Sequence, residues 1–271
     1  MSKLEGQVAF ITGAARGQGR AHAVRLAQDG ADIIAVDLCQ QMHSVVYPMS
    51  TREDLDETVR LVKDLGRRVF AAEADVRDYV ALQQAFDEGV AELGAVTIVV
   101  ANAGIGPGGL ATADEQWDEV VDVNMKGVFN TGRVAIPSMV ENGRGGSIVL
   151  TSSTGGMTGS PSNVPGMLGY TAAKHGVIGL MRSWSNYLGP HSIRVNSVAP
   201  TTVRTPMANN GDVSMILKHV PELAGSLTNA MPVEAVDAED VANAVAWLAS
   251  DEARYVTGTV LPVDAGNVNR R

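Results

Sequence analysis

The sequence predicts an α/β fold, a single doubly wound domain over residues 1–271 with a seven-stranded parallel sheet and helices on both faces. Three observations carry this. Short apolar, β-prone runs alternate with stretches whose apolar residues recur every three or four positions. The fourth run, 97–101, is apolar after its first residue, as a strand covered on both faces should be. A glycine turn joins the first run to the first helical stripe, and no repeat or linker breaks the alternation.

Bulk composition narrows the function. With 45% hydrophobic and 19% charged residues the chain is globular rather than disordered. A net charge of -9 argues against nucleic acid as a partner, because phosphates call for basic side chains. Cys39 is the single cysteine, so no internal disulfide or cysteine-based metal site can form, which suits a reducing cytoplasm. The five histidines are scattered and offer no ligand cluster, so no metal is expected. The start has no apolar signal region, and no apolar run approaches the ~18 residues a membrane span needs.

The first strand, 7–12, ends on Gly13, and the turn through Arg16, Gly17, Gln18 and Gly19 opens a helix with Ala23, Leu26 and Ala27 inward. Glycines let the backbone approach a pyrophosphate, and the helix start adds free N–H groups and partial positive charge. The spacing is G-x-x-x-G-x-G, not G-x-G-x-x-G. The second strand, 32–36, stops at Asp37. A carboxylate there can accept from both ribose hydroxyls of an adenosine and repels a 2′-phosphate, so Asp37 favours NAD over NADP. Arg16 pulls the other way, because a guanidinium in the turn can pair with that phosphate. Asp37 is expected nearer the 2′-oxygen and to outweigh it.

Residues 38–51 show neither period and are longer than a strand-to-helix connection normally is. Starting at Leu38, they are placed beside the adenosine half of a cofactor; the alternative is a tolerated surface insertion. The next helix carries Leu55, Val59, Val62 and Leu65 on one stripe. The third strand, 68–73, leads to Asp75 and Val76, with Asp75 placed to meet the adenine amino group. A helix with Tyr79, Leu82, Phe86, Val90 and Leu93 follows, and strand 97–101 then ends in Asn102, Ala103 and Gly104.

Residues 114–140 read as one long helix containing Asn124. Asparagine is mildly unfavourable mid-helix, so Asn124 suggests a backbone or water contact at the active site, or a buried hydrogen bond. The fifth strand, 146–150, delivers Ser153 at its carboxyl end. Asp37, Asn102 and Ser153 thus share the sheet edge where open α/β folds bind ligands.

Tyr170 and Lys174 are four apart on the next helix, on one face and a turn apart. An ammonium beside a phenol favours the phenolate and lowers its pKa from about 10. A phenol so tuned exchanges a proton with an alcohol or carbonyl oxygen, and the Ser153 hydroxyl can hold that oxygen. The Tyr-x-x-x-Lys spacing is weak alone and gains force from the turns before it. The sixth strand, 193–197, leads to Pro200. Residues 200–231 are irregular, with a short helix expected near 213–219, and carry Met207, Met215, Ile216, Leu217, Leu223, Leu227 and Met231. They read as an apolar substrate lid or as a core-packing helix pair. Asp237 caps a helix with Val241, Val245 and Leu248 inward, and 258–263 is the last strand.

Taken together, Thr12-Gly13-x-x-x-Gly17-x-Gly19, Asp75-Val76, Asn102-Ala103-Gly104, Asn124, Ser153, Tyr170-x-x-x-Lys174 and Pro200 with Val203 and Thr205 resemble the short-chain dehydrogenase/reductase family over essentially the whole chain. The resemblance implies a Rossmann fold, a homotetramer, and NAD held by these motifs. It assigns the substrate oxygen to Ser153, acid/base work to Tyr170, the nicotinamide ribose and the lowering of the Tyr170 pKa to Lys174, and a relay water to Asn124. Thr201 departs from the glycine common after that proline.

The stretches 12–20 and 32–37, the insertion after Asp37 and Pro200-Thr-Thr-Val203 are closer still to the mycofactocin-coupled, carveol-dehydrogenase-like subfamily. That likeness implies tightly held NAD with mycofactocin as electron acceptor, and 38–51 would slow cofactor release. The expected activity is NAD-dependent interconversion of an apolar secondary alcohol, terpenoids included, and its ketone. An NADP-dependent ketoreductase or a non-catalytic dinucleotide-binding protein on the same fold is the alternative.

Overall fold

The computed structural model describes residues 2–106, 112–159, 161–208, 225 and 227–270. Seven strands form one sheet in the order β3-β2-β1-β4-β5-β6-β7. They are β1 Val8–Thr12, β2 Asp32–Asp37, β3 Val69–Glu73, β4 Ile98–Ala101, β5 Gly146–Thr151, β6 Ile193–Pro200 and β7 Val260–Val263. Every pairing is parallel. The strand order reverses between β1 and β4, the position at which such sheets open a crevice at their carboxyl edge.

Alternation along each strand sends side chains to two cores. From β1, Val8 and Phe10 join the core formed with α3 (Tyr79–Leu93), α5 (Gly127–Asn142) and α6 (Pro165–Leu188). Ala9 and Ile11 join the opposite one, with α1 (Gly17–Gln28), α2 (Arg52–Asp64) and α7 (Ala238–Ala249). Phe10 and Phe86 are fully buried and meet edge-on at 5.1 Å, a contact that adds about 0.5–1.5 kcal/mol to the area they bury. Capping boxes start α2 at Thr51 and Asp54, and α7 at Asp237 and Asp240.

Three expectations change. The helix expected over 114–140 is α4 (Ala113–Val121), a five-residue π turn (Asp122–Lys126) and α5. The π turn surrounds Asn124, whose side chain satisfies backbone outside the helix, as described below. In α2 the buried stripe is Leu55, Thr58 and Val62, while Leu65 sits past the last turn and is exposed. Strand β6 extends to Pro200 because its end pairs with β7 at Val263.

The stretch 38–51 is packed rather than a loose surface insertion. Met42, Val45 and Tyr47 are buried in the α3/α5/α6 core. The Gln41 side chain braces it internally, with Nε2 donating to the Val45 carbonyl at 2.7 Å and Oε1 accepting from the Met49 N–H at 2.9 Å. The Ser44 hydroxyl donates to the Glu119 carboxylate of α4.

Candidate active site

The glycine turn is crowded by its own backbone. A Cβ on Gly19 would lie 1.9 Å from the Gly13 carbonyl oxygen, and one on Gly13 would lie 2.8 Å from the Ala103 Cα. Gly13 and Gly17 also hold φ of +69° and +55°, where a Cβ costs energy. Asn102 clamps the turn, its Nδ2 donating to the Thr12 and Gly13 carbonyls at 3.1 and 3.3 Å. The first amides of α1 receive no side-chain cap, and Gln18 Oε1 is buried without a partner. These are unspent donors and an unspent acceptor facing a cleft of about 150 Å³.

Asp37, Leu38, Asp75, Val76, Ala103, Gly104 and Thr205 line the same cleft. Three donors hold the buried Asp37 carboxylate. Oδ2 accepts from the Ala15 N–H at 2.9 Å; Oδ1 accepts from Ser50 Oγ at 2.6 Å and from the Cys39 N–H at 3.3 Å. Arg16 is committed as well, its guanidinium donating to the Pro48 carbonyl. The sequence set Arg16 against Asp37 over a 2′-phosphate; the structure turns Arg16 toward the insertion instead. Asp75 is gripped by Arg77 through Nε at 2.8 Å and Nη2 at 2.6 Å. Burial pushes that carboxyl up, but Arg77 outweighs it and holds the group below the usual carboxylate range.

A second cavity, of about 240 Å³, adjoins the first and shares Gln18, Tyr47, Asn102, Gly104, Ile105, Thr205 and Met207 with it. Asn124, Ser153, Tyr170 and Lys174 all line this cavity, with Pro200 and Val203. Ser153 is hydrogen-bonded to Tyr170 through their side chains, and its Oγ accepts from the Gly155 N–H at 3.1 Å. Lys174 Nζ lies 5.6 Å from the Tyr170 ring centroid and donates to the Thr151 carbonyl at 2.9 Å. Asn124 exchanges two 2.9 Å bonds with Ile105, Oδ1 accepting from its N–H and Nδ2 donating to its carbonyl. A Cβ on Gly104 would lie 2.7 Å from that Oδ1 and 3.6 Å from Lys174 Nζ, so glycine leaves room between them.

Electrostatics corrects one expectation. The spacing predicts that Lys174 lowers the Tyr170 pKa. Instead burial pushes the phenol up, and the Ser153 hydrogen bond offsets only part of that. Burial likewise brings Lys174 down to about 8. One of the three ammonium N–H donors goes to the Thr151 carbonyl, and desolvation dominates the shifts of both groups.

Residues 13–267 match the family model described as enoyl-(acyl carrier protein) reductase. A Mycolicibacterium smegmatis protein named as a short-chain type dehydrogenase/reductase is 52% identical over 98% of each chain. The chain belongs to the short-chain dehydrogenase/reductase family. The (-)-trans-carveol dehydrogenase of Rhodococcus erythropolis is 45% identical to this dehydrogenase/reductase, covering 98% of this chain and 99% of that one. The crystal structure of carveol dehydrogenase from Mycobacterium avium in complex with NAD superposes over 100% of both chains, with TM-score 0.93 and 49% identity.

Several residues of this dehydrogenase/reductase's site escaped the sequence reading. Thr58 Oγ1 donates to the Ala14 and Ala15 carbonyls at 3.0 Å, bracing the glycine turn from α2. Val46 and Tyr47 of the insertion line the second cavity, as do Thr154 and Met167. In the sequence the insertion showed only as a stretch without helical or strand period, longer than an ordinary connection. Thr201 donates to Asn229 Oδ1 at 2.8 Å, and Asn229 Nδ2 in turn donates to the Val233 carbonyl at 2.8 Å. Of the expected lid, Met207 and Leu227 line the cavity and Met231 is exposed. Met215, Ile216, Leu217, Leu223 and the short helix near 213–219 lie outside the described residues. No cluster of three or more metal-ligating side chains exists among the described residues, and no helix among them is long and apolar enough to cross a membrane.

Proposed function

We propose that this short-chain dehydrogenase/reductase interconverts an apolar secondary alcohol and its ketone with NAD. One observation carries the reading: Ser153, Tyr170, Lys174 and Asn124 converge on a cavity that shares walls with the glycine cleft. The cleft suits a dinucleotide, with crowded glycines, uncapped α1 amides and the orphaned Gln18 Oε1. The proposed contacts are Gly13, Gly17, Gln18 and Gly19 for the pyrophosphate, Asp37 and Leu38 for the adenosine ribose, and Asp75 and Val76 for adenine. Asn102, Ala103, Gly104, Pro200, Val203 and Thr205 take the nicotinamide half. With Asp37 buried at the strand tip and Arg16 turned to Pro48, the 2′-position favours a hydroxyl over a phosphate. The complex named for the Mycobacterium avium relative contains NAD, in support.

Bound NAD supplies a hydride acceptor at nicotinamide C4. Ser153 holds the substrate oxygen by a hydrogen bond. Tyr170, in its phenolate form, would take the hydroxyl proton as the carbinol hydrogen departs with its bonding electron pair. Lys174 would hold the nicotinamide ribose, and it retains its proton at pH 7, because its pKa of about 8 is still higher. Asn124 Oδ1 has a second lone pair for a relay water beside Lys174.

Lys174 is the only charged side chain among the described residues lining the substrate cavity, which favours an uncharged alcohol. The relatives named for carveol support a terpenoid alcohol. The insertion packed against Asp37 and Arg16 supports slow NAD exchange and hence mycofactocin as the external electron acceptor. A homotetramer in the cytoplasm completes the reading; exposed Phe129, stacked on Trp184 at 6.4 Å, supports an apolar contact between copies. A panel of secondary alcohols with an artificial electron acceptor, with and without added NAD, tests the activity and the tight binding of NAD. Oxidation without added NAD is expected. No oxidation of any alcohol under either condition refutes the activity, and strict dependence on added NAD refutes tight binding.

A further inference from the structure

The insertion at 38–51 also reaches the other cavity. Tyr47 is buried and lines both the glycine cleft and the cavity that holds Ser153 and Tyr170. Its hydroxyl accepts from the Gly106 N–H at 3.0 Å, which pins the insertion to the loop after β4. Val46 is 43% exposed and lines the substrate cavity but not the glycine cleft. The wall is held at both ends and inside: Ser50 to Asp37, Ser44 to Glu119, and Gln41 across the middle. A wall held that firmly discriminates by shape, because a ligand cannot push it aside without breaking those bonds.

We infer that the insertion is a substrate-specificity element, with Val46 as the side chain that sets the size of alcohol admitted and Tyr47 as the residue that positions it. This rests on the alcohol-oxidoreductase reading above. A surface facing a cavity, unlike the core, tolerates a larger residue without unfolding the chain.

The test compares wild type, Val46→Trp and Val46→Ala on cyclic secondary alcohols of increasing bulk, from cyclopentanol to a para-substituted cyclohexanol. The readout is the ratio of kcat/KM for the bulkiest to the smallest alcohol. Val46→Trp should lower that ratio about tenfold or more, the range expected for a pocket reshaped by a side chain, and Val46→Ala should raise it. Tyr47→Phe should move KM more than kcat, because it frees the wall without touching the reacting oxygen. Retained NAD is measured on every protein. Ratios equal to wild type in both Val46 variants overturn the inference, and so does a shift that tracks lost NAD. A wild type that oxidises none of the alcohols refutes the activity instead. Calorimetric binding of the matching ketones then decides the inference: graded affinities among the three proteins support it, and equal ones overturn it.

Discussion

Removing one hydroxyl tests how the insertion guards the adenosine end. Ser50 Oγ donates to Asp37 Oδ1 at 2.6 Å, and both groups are buried. A hydrogen bond to a charged acceptor contributes about 1.5–3 kcal/mol net. Ser50→Ala leaves Asp37 its bonds from the Ala15 and Cys39 amides, so the carboxylate is not stranded. The loss therefore falls on docking of the insertion. If NAD leaves only when 38–51 lifts, the lifted population and the release rate rise together, by about tenfold to about 150-fold. Purified wild type and variant are dialysed, and residual NAD is followed over time by absorbance after acid precipitation. Ser50→Thr keeps the hydroxyl and should behave as wild type. A Ser50→Ala protein that sheds NAD at the wild-type rate would refute the idea that this contact gates release.

Tyr170→Phe should lower turnover by about 10²–10⁴-fold while dialysed protein keeps its NAD, read by steady-state kinetics and cofactor content. Alcohol oxidation should accelerate as pH rises toward the raised Tyr170 pKa, because the base form is needed; ketone reduction should be fastest on the acid side. Gly19→Ala should abolish NAD binding, since its Cβ would sit 1.9 Å from the Gly13 carbonyl and the turn must open; titration by fluorescence quenching checks it. His22 is fully buried and burial lowers its pKa from 6.5 to about 4, so the native state stays neutral while the unfolded chain takes up a proton. Stability is therefore lost as pH falls from 6.5 toward 4, and the denaturation free-energy difference between wild type and His22→Leu should change by about 3 kcal/mol over that window.

The sheet was readable because its strands are short, apolar and set off by glycine turns and capped helices. The positions of Ser153, Tyr170 and Lys174 were readable because strand ends and helical spacing place them without reference to the rest of the chain. What escaped depends on contacts distant in sequence. No local pattern says that Arg16 turns to Pro48, that Ser50 reaches Asp37, or that Tyr47 meets Gly106, because each bond joins residues far apart in the chain. The π turn was hidden because π and α helix share composition and differ only in which carbonyl each amide finds. The Tyr170–Lys174 electrostatics were misjudged because spacing reports proximity, while the desolvation that dominates depends on the surrounding fold.

The widened turn at Asp122–Lys126 ties the phase of two helices to one side chain. A π turn holds one residue more than the α turn it replaces, so deleting one residue there can restore α geometry and leave α5 in phase. Asn124 would leave Ile105, while Val128, Thr131, Ala135 and Met139 would keep their places in the interior of α5. Single-residue deletions at this spot should therefore be better tolerated for folding than deletions within α5, yet still cost activity, and indel scanning read by both abundance and turnover would separate the two.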